Sequence, residues 1–179
     1  MSRGDVRIRA IVLSAAVVAG FAVAGFAVAG CAGHPWPDEP GVPVALSRAS
    51  NVQSGDTFLA KLTAERRAAN LPPPVVTPRH QDGILAVADD LQAGKLTASE
   101  AQRAIERWGQ AAYQRSVAAW LIDCAAGDGM KVPRALVDRP SAVVSYAAAH
   151  FRPRSLASEQ CAVLVVAVEG AEQVIQEKL

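Results

Sequence analysis

The sequence predicts an α+β fold in which three N-terminal helices pack on a small, mainly antiparallel sheet. Apolar residues recur at helical spacing in three blocks between Phe58 and Trp108, each closed by a stop signal. Two later runs, 142–151 and 161–169, read as strands, and the second is nearly continuous, as for a strand buried on both faces. Pro153 and the polar stretch 154–160 suit the connection of an antiparallel hairpin. Helices first and strands later is the element order of an α+β sandwich.

The N-terminus comes before any of this. Arg3, Arg7 and Arg9 stand against Asp5, and no charged residue occurs from Ala10 to Gly30. A basic start and an apolar run are the layout of a secretory signal. A run of about 20 residues is also long enough for an anchor helix, and the basic flank suits either. The repeat of "AGFAV" at 19–23 and 24–28 makes the run richer in Gly and Ala than a Leu-based span. Its end, Val28-Ala29-Gly30-Cys31, resembles the lipobox of bacterial lipoproteins: an aliphatic residue, two small ones, then cysteine. That resemblance implies a signal peptide over 1–30, cleavage after Gly30, and acylation of Cys31 with palmitate-type chains. It also implies attachment to the membrane through this anchor. Several acyl chains hold a protein where one alone binds marginally. Ala32 rather than Asp follows the cysteine. In a Gram-negative cell the resemblance then points to the outer membrane, facing the periplasm or the cell surface.

Residues 31–55 carry Pro35, Pro37, Pro40 and Pro43 with Gly33 and Gly41, and read as a semi-extended tether. At roughly 3 Å per residue it would hold a domain some tens of ångströms from the bilayer. Trp36 within it reads either as an interfacial residue or as an exposed linker aromatic. The domain proper is expected over 56–179. Asp56 is the predicted N-cap of the first helix, with Phe58, Leu59, Leu62 and Ala69 on its apolar stripe, and Asn70 with Leu71-Pro72-Pro73-Pro74 stops it. Thr77-Pro78 restarts a helix with Ile84, Leu85, Ala88 and Leu91 inward, ended by Gly94. Thr97-Ala98-Ser99-Glu100 is a capping box opening the third, with Ala101, Ala104, Ile105 and Trp108 inward. Residues 116–124 read as helix by their alanines or as strand by Val117, Trp120 and Ile122, and the tail from Ala171 reads as helix.

The balance of 18 Lys and Arg against 17 Asp and Glu contains no block of either sign. No basic stripe follows a phosphate backbone, which argues against a nucleic-acid partner. With Cys31 committed to lipid, Cys124 and Cys161 remain, and an even pair in an exported chain reads as a disulfide. Two buried free thiols are the alternative.

The stretch "FLAKLTAERRAANLPPPVVTPRHQDGILAVADDL" resembles the opening of the CAP (SCP-like) superfamily domain. Leu62 and Arg66 match the family's first helix, Leu71-Pro72-Pro73 its turn, Thr77-Pro78 its cap, and Ile84, Ala88 and Leu91 its second helix. The resemblance implies a CAP-like αβα sandwich. Thr63, Asn70 and His80 depart from the family's pattern, which commonly has Asn, Gly and an apolar residue there. The family's metal-binding gathering of histidines and acids has no counterpart in the sequence, so no family site residue carries over.

His80 near Asp82 is the one weak candidate cleft residue, a base or ligand on one reading and an exposed first-turn histidine on the other. His150 alternates with Tyr146 and Ala148 and reads as a hydrogen-bonded sheet residue. Asp89 and Asp90 are adjacent helical positions that share no face. No Gly-x-Ser-x-Gly elbow or Cys-x-x-Cys pair occurs. The glycines of "AGDGMKVP" lack the Lys-Ser/Thr of a phosphate loop. No catalytic, metal or cofactor assignment follows. The sequence is that of a cell-envelope lipoprotein whose domain binds a lipid, a peptide, an envelope polymer or an envelope protein. A periplasmic hydrolase using His80 with a carboxylate supplied by the fold, and a purely structural spacer, are the other readings.

Overall fold

The computed structural model describes residues 35–45, 48–78, 81–125 and 129–169, all within the compact unit Ala32–Leu179. Their order is β1 (Gly41–Val42), α1 (Arg48–Ala68), β2 (Val75–Val76), α2 (Gln81–Gln92), α3 (Ala98–Tyr113), β3 (Val117–Asp123), α4 (Arg134–Val137), β4 (Val143–Pro153) and β5 (Gln160–Val168). The sheet runs β1-β4-β5-β3, and β2 also pairs with β4. All neighbours are antiparallel except β2 and β4. The fold is mixed α+β.

Strand parity sorts the core into two layers, because alternate side chains leave a strand on opposite faces. Val163 and Val165 of β5, Val144 and Ala148 of β4, and Ile122 of β3 meet Phe58 and Leu62 of α1, with Leu136 and Val137 of α4. Leu164 and Val166, Ala147 and Ala149, and Ala119 meet Ile84, Ala88 and Leu91 of α2 and Ala101 and Ile105 of α3. Both faces of β5 are covered, which is why its sequence is a continuous apolar run.

Helix ends follow their sequence signals. Both halves of the Thr97–Glu100 capping box are made. Asn70 has φ 56° and Gly94 φ 69°, the left-handed residue past a helix end. The amides after them, Leu71 N and Lys95 N, reach Arg66 O at 2.9 Å and Asp90 O at 3.0 Å, closing two Schellman turns. The β4–β5 hairpin forms across 154–159, and 117–123 is strand.

The expectation of three helices followed by strands is corrected. β1 precedes α1, β2 separates α1 from α2, and a fourth helix, α4, lies between β3 and β4. The two short strands have no periodicity of their own and exist by pairing with the outer edge of β4. The tether is corrected as well. Trp36 is only 5% exposed and stands edge-on to Phe151 at 5.3 Å. Gly41 and Val42 pair with Pro153 and Arg152, Ser99 N donates to Asp38 at 3.1 Å, and Val44 N donates to Gln92 O at 3.2 Å. Ser155 donates to Glu39, which holds that carboxyl below its ordinary pKa. Residues 35–45 are a strap belonging to the domain. Nor does α1 start at Asp56: it starts at Arg48 and runs through Gly55, which lies against the Tyr146 ring. Thr77 does not cap a helix. Its amide continues the β2 ladder to Val144 O at 3.1 Å. The tail from Ala171 lies outside the described residues.

Helices α2 and α3 approach each other through Gly83. A Cβ built there would sit 1.7 Å from Trp108 Nε1, so the indole occupies the space a side chain would need. Gly83→Ala gains about 1 kcal/mol of helix propensity but forces the ring aside, at about 1–3 kcal/mol. We expect a Tm lower by roughly 5 °C in a thermal melt; an unchanged or higher Tm would mean that the indole swings clear freely.

Candidate functional site

Of the residues the sequence singles out, Cys31 and His80 lie outside the described residues. Cys124 and Cys161 are joined in a disulfide across a sequence separation of 37. Asp90 faces solvent and pairs with Lys95 at 2.8 Å. Among the described residues no group of three or more His, Cys, Asp or Glu is arranged to hold a metal ion, and no helix is long and apolar enough to cross a membrane.

The polar chemistry of the interior gathers at three places that the sequence does not announce. The first is Arg66, 0% exposed at the end of α1. Its Nε donates to Pro72 O at 2.7 Å, and its Nη atoms reach Val137 O at 2.9 Å, Arg139 O at 2.8 Å and Pro140 O at 3.2 Å. Leu136 O adds a longer contact at 3.4 Å. Two of these carbonyls end α4 and two belong to prolines, which have no amide hydrogen to offer in return. The guanidinium supplies the missing donors, and its charge faces the negative end of a helix. Burial lowers its pKa, yet arginine starts so high that the ring of carbonyls still holds a cation.

The second is a ring of hydroxyls where β2 meets β4. Thr77 Oγ1 lies 2.8 Å from Tyr113 OH and 3.0 Å from Ser145 Oγ, and the latter two are 2.5 Å apart. Ser145 is fully buried, and its hydroxyl also lies 3.5 Å from Thr77 O. Three hydroxyls can each donate once and accept from the next, so the ring closes on itself. A serine nucleophile would instead need a base oriented by a third group.

The third is a relay around the outer edge of β4. His150 Nδ1 lies 2.8 Å from Asn51 Oδ1 on α1. Asn51 Nδ2 donates to Gln92 Oε1 on α2 at 2.9 Å, and Gln92 Nε2 donates to Val44 O at 3.2 Å. The direction of donation along this chain assigns the proton to Nδ1 and the lone pair to Nε2. Burial lowers the ring's pKa, and Glu159 offsets part of that, which favours the neutral form. Gln81 Nε2 donates to Tyr146 O nearby. Tyr146 itself is held above its ordinary pKa by burial and then by Asp56. The relay thus ties the strap to both helical layers.

An open depression of about 600 Å³ follows the outer side of α1, lined by Arg48, Ala49, Val52, Gln53, Asp56, Thr57 and Ala60. Val52 is 60% exposed there, with alanines beside it and charged or polar groups at the rim. None of these features has a local sequence signature. Arg66 and Thr77 are noticeable only through the family resemblance, and the partners of Tyr113, Ser145 and His150 come from other elements. No family model, curated protein or solved structure matches this chain.

Proposed function

We propose that the chain is a cell-envelope lipoprotein anchored at Cys31, whose domain is a non-catalytic binding or interaction module akin to a degenerate CAP sandwich. The observation that carries this reading is where the interior polar groups go. Arg66, Ser145 and His150 are bonded to the fold's own carbonyls, hydroxyls and amides. The segment that resembles the CAP opening serves as architecture: Leu62, Ile84, Ala88 and Leu91 are core, and Arg66 is a strut. α1 on one face of the sheet and α2 with α3 on the other support the sandwich. The Cys124–Cys161 disulfide supports an oxidising, exported compartment. Recognition then falls to the surface, and the Val52 depression on α1 offers an apolar floor with a polar rim.

The strap changes the geometry of anchoring. Five residues from Cys31 to Trp36 reach at most about 17 Å when extended, so the anchor would hold the domain close to the bilayer instead of on a long stalk.

Intact mass of the protein extracted from membranes tests the reading. The expected mass lacks residues 1–30 and carries acyl chains, with Cys124 and Cys161 resistant to alkylation until reduced. An uncleaved mass with both thiols free would overturn the envelope address. The same preparation is then sedimented with isolated envelope polymer. Retention that drops in Val52→Lys is expected; equal background retention of both proteins would favour the spacer.

A further inference from the structure

The two edges of the sheet are finished differently. On one side, β4 is covered by β1 at one end, by β2 at the other, and by Gln81 between them. On the other side, the sheet ends at β3 among the described residues. The flanking bonds fix which groups of β3 point outward. Glu169 N donates to Ser116 O at 2.9 Å, and Cys124 N donates to Cys161 O at 3.1 Å, so the even-numbered residues face β5. In an antiparallel ladder the alternate residues face away: Val117, Ala119, Leu121 and Asp123. From 117 to 122 the edge contains no Pro, no Lys and no other charge, the residues with which sheet proteins usually protect such an edge.

We propose that β3 is a homodimerisation edge, to which a second copy of this chain adds its own β3 antiparallel with Ala119 opposite the partner's Ala119. The outward parity admits only registers that pair odd residues with odd residues. Charge selects among the three central ones. Pairing 119 with 119 sets 117 against 121 and places Arg115 opposite the partner's Asp123, twice by symmetry. A shift of two residues either way leaves Asp123 or Arg115 facing an apolar residue or none. Arg115 and Asp123 share the parity of Ala119 and Leu121, which lie on the α2–α3 face, so each pair lies on one face of the joined sheet. Exposed ion pairs contribute little affinity but discriminate well between registers. The backbone ladder supplies the attachment. Sterically the join is open. Helix α3 rests on both β3 and β5, with Gly109 over Val117 and Val166. With strands about 4.8 Å apart, the two α3 axes would lie about 10 Å from each other across the dyad, an ordinary helix–helix spacing.

Native mass spectrometry of the full chain released from detergent tests this. The wild type is expected as a dimer at tens of micromolar. Arg115→Asp and Asp123→Arg, each of which sets like charges opposite one another, are expected to raise the dimer dissociation constant by about tenfold. The double variant Arg115→Asp/Asp123→Arg restores the opposite-charge pairs and should return it to near the wild-type value. The restoration cannot come from a general loss of folding, and circular dichroism on each variant checks this independently. A monomeric wild type, a dimer indifferent to the single reversals, no recovery in the double variant, or a monomer carrying a different bound peptide would each overturn the proposal.

Discussion

Arg66→Met is expected to destabilise the chain by about 3–5 kcal/mol, the range for removing one partner of a fully buried charged network. Methionine keeps most of the buried stem, so the loss reports the guanidinium rather than a cavity. What remains is a set of carbonyls at Pro72, Val137, Arg139 and Pro140, each needing a donor that its surroundings do not supply, at about 1–3 kcal/mol apiece when unmet. Such a loss is a large share of the 5–15 kcal/mol by which domains are usually stable. Arg66→Lys should recover less than half of it. A single ammonium carries its three donors on one atom and cannot span from the Pro72 turn to the end of α4, as a planar fork does. Urea denaturation with the disulfide intact measures both variants. The midpoint should fall while the slope with denaturant stays unchanged, because the unfolded chain is the same. A methionine variant within about 1 kcal/mol of wild type would mean that water satisfies the carbonyls and that Arg66 is not a strut.

Much of the fold could be read where its cause is local. The capping box at Thr97 and the left-handed residues Asn70 and Gly94 act through neighbours within a turn, and the sequence displays them. So does β5, whose unbroken apolar run reflects burial on two faces. The strap was hidden because proline-rich composition is the same in a free linker and in a segment held by distant partners. Its order comes from Trp36 on Phe151 and from Gly41 on Pro153, contacts spanning most of the domain. The first half of α1 was hidden for a related reason: Arg48 to Asp56 has no apolar stripe, and the helix meets the sheet there through Gly55 on an aromatic ring. The polar sites were the least legible. A buried Arg66, a Ser145 and a His150 look ordinary until three or four separate elements are brought together around them.

Cys124→Ala/Cys161→Ala is expected to cost about 3–4 kcal/mol, from the loss of a cross-link that closes a loop with a sequence separation of 37. Its signature should differ from that of Arg66. In the loop-closure account the bond acts on the unfolded chain, so its removal lets that chain expand and expose more surface. The denaturation midpoint should therefore fall while the slope rises. The native geometry supports assigning the effect there. Cys124 N already bonds to Cys161 O at 3.1 Å, so β3 and β5 stay in register without the sulfur bridge. Ser54 Oγ lies 3.5 Å from Cys161 Sγ, and only the hydroxyl can donate, since a disulfide sulfur carries no proton. That contact is weak and its loss minor. The sulfurs are also shielded: Cys124 is 8% and Cys161 4% exposed. Under native conditions a reductant should thus release alkylatable thiols slowly, and rapidly once denaturant opens the sheet. A lower midpoint with an unchanged slope would place the bond's contribution in the folded state instead. No shift in midpoint would mean that the ladder from β3 to β5 holds this corner of the sheet unaided.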